Sequence, residues 1–248
     1  MPTDDPGTPQ FHMLSIIIPI YNERKTVMQL LKQVANQPVA LRKEIILVDD
    51  FSNDGTRELL QQTDLQAELG NGGANTVKLA LHEKNMGKGA GVRTGLARAS
   101  GEIVLIQDAD LEYDPGDYPE LLKPILEGHA DAVFGNRFHS GSHRVQRYYR
   151  LLLNRIFSIM CNLVTGIAVH DVTACYKVFT RDLLQRMHLR SDRFSVETEM
   201  TVKVAKLGAR IYEVPIVYHG RTFAEGKKIT WHDGYKALYD LVRYRFKD

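Results

Sequence analysis

Four short apolar runs, at residues 14–19 (LSIIIP), 44–48 (EIILV), 77–81 (VKLAL) and 103–107 (IVLIQ), constrain the fold more than any other feature of the chain. Each is too short for a helix and too continuously apolar for a strand with one wet face. That pattern fits strands of a parallel sheet buried on both sides. Segments with helical spacing separate them: Val27, Leu30, Leu31 and Val34 share one face of residues 26–37. Helices are also predicted over 57–65, over 92–99 and from the Asp117-Tyr-Pro-Glu120 capping box to about Glu127, with a loop at 66–75. A fifth short strand is expected at 132–134. Strand and helix in alternation predict an α/β domain with a mostly parallel central sheet and helices on both faces.

In such sheets ligands sit beyond the carboxyl ends of the strands. Polar clusters follow strands one, two, four and five at that edge. After Asn136 the pattern changes. Residues 139–150 are basic and aromatic; helices are expected over 148–165, 181–187, 196–207 and 232–246, with strands at 175–179 and 211–217.

The chain has 248 residues and a formal net charge of +2, so no global field calls for a nucleic-acid partner. Two cysteines, Cys161 and Cys175, lack metal-ligand spacing and fit a reducing cytoplasm. Residues 1–12 read as a polar, Pro-rich tail, residues 13–230 as the catalytic domain and residues 231–248 as a C-terminal amphipathic helix. No signal peptide or membrane span is read from the sequence. Its most apolar stretch, 151–169, is broken by Asn154, Arg155, Asn162 and Gly166.

Residues 103–107 run straight into Asp108-Ala109-Asp110, with Glu112 two residues on. Hard carboxylate oxygens at the end of a rigid strand suit a phosphate-binding divalent ion, with Asp108, Asp110 and Glu112 as ligands. After strand one, Tyr21 offers a ring to stack on a base, and Asn22 and Glu23 offer hydrogen bonds to a ribose. Asp49 and Asp50 end strand two as acceptors for a nucleobase ring N–H; taken alone, each of these clusters is more simply a turn or helix cap. Asn85-Met-Gly87-Lys88-Gly89 outlines a phosphate loop, although its spacing is neither of the two common glycine-loop signatures.

In order and spacing, Ser15-Ile-Ile-Ile-Pro19-Ile-Tyr21-Asn22-Glu23, Val48-Asp-Asp-Phe-Ser-Asn-Asp-Gly-Thr56, Asn85–Gly89 and Asp108-Ala109-Asp110 resemble the family 2 glycosyltransferases of the GT-A fold. The resemblance implies a nucleotide-diphosphate sugar donor of the GDP-mannose or UDP-glucose type. It also implies Mg²⁺ or Mn²⁺ on the two aspartates, and inversion at the anomeric carbon. Gly135-Asn-Arg137-Phe138, Arg147-Tyr-Tyr-Arg150 and residues 171–179 are similar to the polyprenyl-phosphate hexosyltransferases, such as the dolichyl-phosphate mannose and glucose synthases. This narrower likeness implies a polyprenyl phosphate acceptor held by Arg137, Arg147, Arg150 and the position of Asn154, and a basic loop over 221–229 that closes on the diphosphate.

A lipid monophosphate is largely dianionic at pH 7, with a second pKa of about 6, so this acceptor predicts no obligatory base. Lys88, Arg221 and the metal would offset charge growing on the leaving diphosphate. The alternative is a soluble transferase acting on a hydroxyl, with Glu197 as the base. A nucleotidyltransferase is disfavoured because no glycine-rich basic loop directly follows strand one. A membrane acceptor would place the enzyme in the cytoplasm, peripheral to the membrane. The apolar residues of 151–164 and the mixed basic and aromatic residues of 236–246 suit such contact, or equally core packing or a homo-oligomer interface.

Overall fold

The computed structural model describes residues 11–139, 148–193, 195–221 and 231–247. Among these, seven strands form one sheet: β1 (Met13–Ile20), β2 (Arg42–Asp49), β3 (Asn75–Leu81), β4 (Ile103–Ile106), β5 (Ala132–Asn136), β6 (Lys177–Thr180) and β7 (Ile211–Pro215), in the order β3-β2-β1-β4-β6-β5-β7. All neighbours are parallel except β6, which runs antiparallel to both β4 and β5.

Alternation along the strands explains why the runs lack polar breaks. In β1, Leu14, Ile16, Ile18 and Ile20 enter one core while Ile17 enters the other; in β2, Ile45 and Leu47 face opposite to Ile46 and Val48. Helices α1 (Val27–Asn36) and α5 (Tyr118–Leu126) cover the first core through Leu30, Leu31, Val34, Leu121 and Ile125. Helices α4 (Lys88–Leu96), α7 (Arg181–Arg186) and α8 (Val196–Lys206) cover the second. Because β1 leads outward to β2 and β3 while β4 lies on its other side, the chain reverses direction between β1 and β4. That is the crevice where ligands enter sheets of this kind.

Several boundaries differ from the sequence reading, each for a local reason. The helix expected over 57–65 divides into α2 (Thr56–Gln62) and α3 (Leu65–Leu69). Thr63 is extended and the Asp64 carboxylate accepts the Ala67 N–H, starting a second helix inside the expected loop. Helix α4 starts at Lys88 rather than Val92, since Gly87, at φ 93°, turns the chain a residue earlier. The strand expected at 175–179 is displaced to Lys177–Thr180. Helix α6 (Tyr148–Thr165) lies at the surface, and α9 (Trp231–Phe246) buries Leu241 and Tyr244 in the second core. The Tyr244 hydroxyl lies 2.6 Å from that of Ser191. No helix among the described residues is long and apolar enough to cross a membrane.

The capping box expected at α5 does not form. Asp117 makes no side-chain cap; its Oδ2 instead accepts the Val217 N–H at 2.8 Å, pinning the exit of β7 to α5. Burial, with Asp114 nearby, raises the Asp117 carboxyl from 3.8 to about 6. The folded state therefore binds this proton more tightly than the unfolded chain. The resulting penalty is absent below pH 3.8, grows as pH rises and is complete above about 6. The full shift corresponds to about 3 kcal/mol, but a half-buried group is screened, which leaves about 1 kcal/mol. Asp117→Asn keeps an acceptor for Val217. It is expected to raise Tm at pH 7.5 by about 2–4 °C and to leave it unchanged near pH 3.5, as scanned by calorimetry. An equal shift at both pH values would mean that the carboxyl is not the cause.

Candidate active site

The loops after β1 and β2 are zipped together. Asn22 and Phe51 both adopt left-handed backbone, at φ 52° and 64°. The Asn22 N–H donates to Ser52 Oγ at 2.9 Å, and its Oδ1 accepts the Asn53 N–H at 2.8 Å. The Glu23 N–H donates to Thr56 Oγ1 at 3.0 Å. The Asn22 oxygen expected to meet a ribose thus holds the neighbouring loop, while Tyr21 is half-buried beside it.

Asp50 anchors the glycine loop. Its Oδ1 accepts the Met86 N–H and faces His82 Nδ1, and its Oδ2 accepts the Gly87 N–H, all at 2.7 Å. The Asn85 side chain adds a bond to the Asp50 carbonyl at 3.2 Å. With these three contacts, Asp50 positions the backbone of the glycine loop. Asp49 is buried: Oδ2 accepts from Ser52 and Arg57, and Oδ1 has no hydrogen-bond partner among the described residues. His82 escaped the sequence reading, although its place directly after β3 at the ligand edge was a usable signal.

The loop needs its glycines for contact as well as for turning. A Cβ at Gly89 would run into the Ser191 carbonyl, and one at Gly87 into that of Asp192. The Ala90 N–H donates to the same Asp192 carbonyl at 3.1 Å. Pro19 lies against the other side of α4, where a Cβ at Gly91 would approach to 3.1 Å.

This packing delivers Lys88 to the centre of the site. Its Nζ lies 2.5 Å from Asp108 Oδ1 and 2.7 Å from Glu197 Oε1. Glu197 thus faces Lys88 as an ion pair, with no further partner on Oε1 among the described residues. Burial works against the lysine's charge, but Asp108, Cys175 and Glu197 outweigh it and hold Lys88 well above its ordinary range.

Arg221 is the second cation. Its Nη2 lies 2.7 Å from Asp110 Oδ2, and its two terminal nitrogens each reach Glu23 at 3.2 Å. Glu112, expected to add a third metal oxygen, is committed elsewhere. Its Oε1 accepts the Arg221 N–H at 2.6 Å and its Oε2 the Tyr218 hydroxyl at 2.9 Å. It fixes the Arg221 segment beside the aspartates instead. Ala109 contributes its carbonyl to the Thr26 hydroxyl at 3.2 Å. The Asp110 carboxyl is lifted to about 7, by burial first and then by the charges of Asp108 and Glu112, with Arg221 opposing.

On the far side of β4, Arg137 is a structural strut. Its Nε and Nη2 grip both oxygens of fully buried Asp171 at 2.7 Å, and Nη2 also donates to Thr173 Oγ1 at 2.7 Å. Asn154 Nδ2 joins at 3.2 Å to Asp171, and its Oδ1 accepts from the Thr173 hydroxyl. Two residues expected to bind an acceptor phosphate are thus tied into an internal network. Arg147 and the side chain of Arg150 lie outside the described residues.

Residues 15–187 match the family described as Glycosyl transferase family 2. The chain is 31% identical over 226 residues to Glycosyltransferase AglJ of Haloferax volcanii, covering 89% of this chain and 65% of that protein. It is 26% identical over 234 residues to undecaprenyl-phosphate 4-deoxy-4-formamido-L-arabinose transferase of Salmonella choleraesuis, covering 92% and 66%. It therefore spans about two-thirds of the length of these curated relatives. The fold superposes, with a TM-score of 0.68 and 19% identity, on glucosyl-3-phosphoglycerate synthase of Mycobacterium tuberculosis in complex with Mn²⁺, UDP and glucosyl-3-phosphoglycerate, covering 95% of this chain and 80% of that one. The GT-A architecture expected from the sequence is the one present.

The polyprenyl phosphate acceptor is corrected. The superposing enzyme is held with UDP-glucose and phosphoglyceric acid, a small soluble acceptor, and here Arg137 and Asn154 are engaged internally.

Replacing Asp50 by alanine would strand two backbone N–H groups and the His82 ring. A loss of about 2–4 kcal/mol is expected in urea unfolding. A loss below about 0.5 kcal/mol, the size of an ordinary surface change, would refute the anchoring role.

Proposed function

Because the chain belongs to glycosyl transferase family 2, we propose that it transfers a sugar from a nucleotide-diphosphate sugar to the hydroxyl of a small soluble acceptor, in a metal-dependent reaction with Glu197 as general base. The observation that carries this reading is Glu197 itself. It is a buried carboxylate at the start of α8, ion-paired with Lys88 and with no further partner on Oε1 among the described residues. A hydroxyl nucleophile requires such a group, whereas a phosphate dianion does not.

The residues fit a divalent ion. Asp108 and Asp110 supply hard oxygens at the end of β4, and the Asp110 carboxyl, raised first by burial and then by Asp108 and Glu112, lies among carboxylates whose charge a cation offsets. Among the described residues no three His, Cys, Asp or Glu side chains form a metal-holding group. Two carboxylates would therefore hold the ion, with donor phosphate oxygens completing its shell, as suits Mg²⁺ or Mn²⁺. When bound, the ion supplies Lewis-acid stabilisation of the leaving diphosphate.

The chain's own part follows from position. Lys88 and Arg221, next to the two aspartates, offset charge as the bond between the anomeric carbon and the diphosphate oxygen breaks. The acceptor oxygen bonds to that carbon, and its proton passes to Glu197. The sheet-edge loops are tied to one another and to the glycine loop by Asn22, Ser52 and Asp50, which holds the donor-facing backbone in place. A UDP-sugar and a phosphorylated hydroxy acid, the pair held by the superposing enzyme, are the first donor and acceptor to test.

The test is incubation with labelled UDP-glucose or GDP-mannose, Mn²⁺ and 3-phosphoglycerate, followed by separation of aqueous and lipid products. Label is expected in a water-soluble product. Label recovered only in lipid, from a parallel incubation with polyprenyl phosphate, would overturn the reading. Glu197→Gln should lower kcat by about 10²-fold or more with little change in KM for the donor. Asp110→Ala should abolish transfer and weaken Mn²⁺ binding followed by electron paramagnetic resonance. Unaltered Mn²⁺ binding would remove Asp110 from the metal site.

A further inference from the structure

Helices in water normally turn a polar face outward, but α6 and α9 also carry large apolar side chains on their outer faces. Of the fourteen large hydrophobic side chains exposed among the described residues, eleven lie on these two helices. On α6, Leu152, Ile156, Ile159 and Leu163 recur at helical spacing along the outer face, and Leu163 is 81% exposed. On α9, Tyr239, Val242 and Phe246 do the same, with Phe246 76% exposed. The helices meet: Arg245 Nε donates to the Val164 carbonyl at 3.0 Å, so Leu163 and Phe246, at the ends of the two stripes, each neighbour a residue of that contact. The inward faces are already satisfied by Cys161, Leu241 and Tyr244. Large apolar side chains exposed together in this way mark an interaction surface.

Charge identifies the partner. Helix α6 carries no acidic residue. The acidic side chain described on α9, Asp240, is buried. Arg155, Lys236, Arg243, Arg245 and Lys247 are all exposed around the apolar stripes. Arg144 and Arg147 lead into α6 in the sequence, with no acidic residue between them and the helix. A two-fold pairing of this face with a second copy would set those cations against one another. An anionic lipid surface takes up both features together, the apolar side chains at the level of the acyl boundary and the cations among the headgroups.

We propose that the joined outer faces of α6 and α9 are a docking surface for an anionic membrane. This concerns where the enzyme sits and not what it glycosylates, so it holds or fails independently of the soluble acceptor.

The test is co-sedimentation of the full chain, without donor or metal, with phosphatidylcholine vesicles with and without phosphatidylglycerol. Binding is expected to the anionic vesicles, falling steeply as salt shortens the Debye length from about 10 Å at 0.1 M to about 3 Å at 1 M. Leu153→Glu combined with Ile159→Glu should cut the partition coefficient by about tenfold or more, and Arg155→Glu with Lys247→Glu should remove the preference for anionic lipid. All four positions are exposed, so unchanged circular dichroism should accompany each loss. Equal partition of wild type and the double apolar variant would overturn the proposal. So would absence of binding together with a dimer, seen by light scattering, that the apolar variant dissociates.

Discussion

Everything at the sheet edge depends on one electrostatic arrangement. Five carboxylates, from Glu23, Asp108, Asp110, Glu112 and Glu197, are gathered around two cations, Lys88 and Arg221. Burying that many like charges would be prohibitive without partners, and the partners must be held in place for the pairing to compensate desolvation. This explains the neighbouring detail. The Asp50 carboxylate fixes the loop that carries Lys88, and Glu112 fixes the backbone that carries Arg221. Even so, carboxylates outnumber cations, and burial together with the charges of Asp108 and Glu112 lifts the Asp110 carboxyl to about 7. The site is thus built around cations and left short of positive charge, the condition under which a bound divalent ion stabilises the fold as well as the substrate.

The scaffold was largely readable because burial on both faces forces apolar runs that no other architecture explains. Where the reading slipped, a side chain chose a local partner. Asp64 capped a helix inside an expected loop, and Asp117 turned from its own helix to β7. Such choices involve a single hydrogen bond and leave little trace in periodicity.

Which side chains would meet was legible, but not which of their bonds the chain itself would take. Asp108, Asp110, Lys88, Glu197 and Arg221 do converge, over more than a hundred residues of sequence separation between Asp110 and Arg221. Asp50, Asn22, Glu112 and Arg137, however, spend their polar atoms on holding other parts of the chain. A residue type tells what bonds are available; only the folded neighbourhood tells whether they are already taken. Arg137 is the clearest case. Fork-shaped recognition of a carboxylate and of a phosphate use the same geometry, and the chain supplies its own carboxylate in Asp171.

The close approach of Gly87 and Gly89 to the backbone of residues 191–192 has a consequence for how such enzymes can be recombined. The glycine loop belongs to the first half of the chain and residues 191–192 to the second, yet no side chain can be inserted between them. Glu199 accepts the N–H groups of Arg190 and Ser191, extending that seam into α8. A hybrid that exchanged only the first half would keep Lys88 against Glu197 only where the incoming loop also has glycine at both positions. The unit of exchange is thus a pair of distant segments that must match, and not a half.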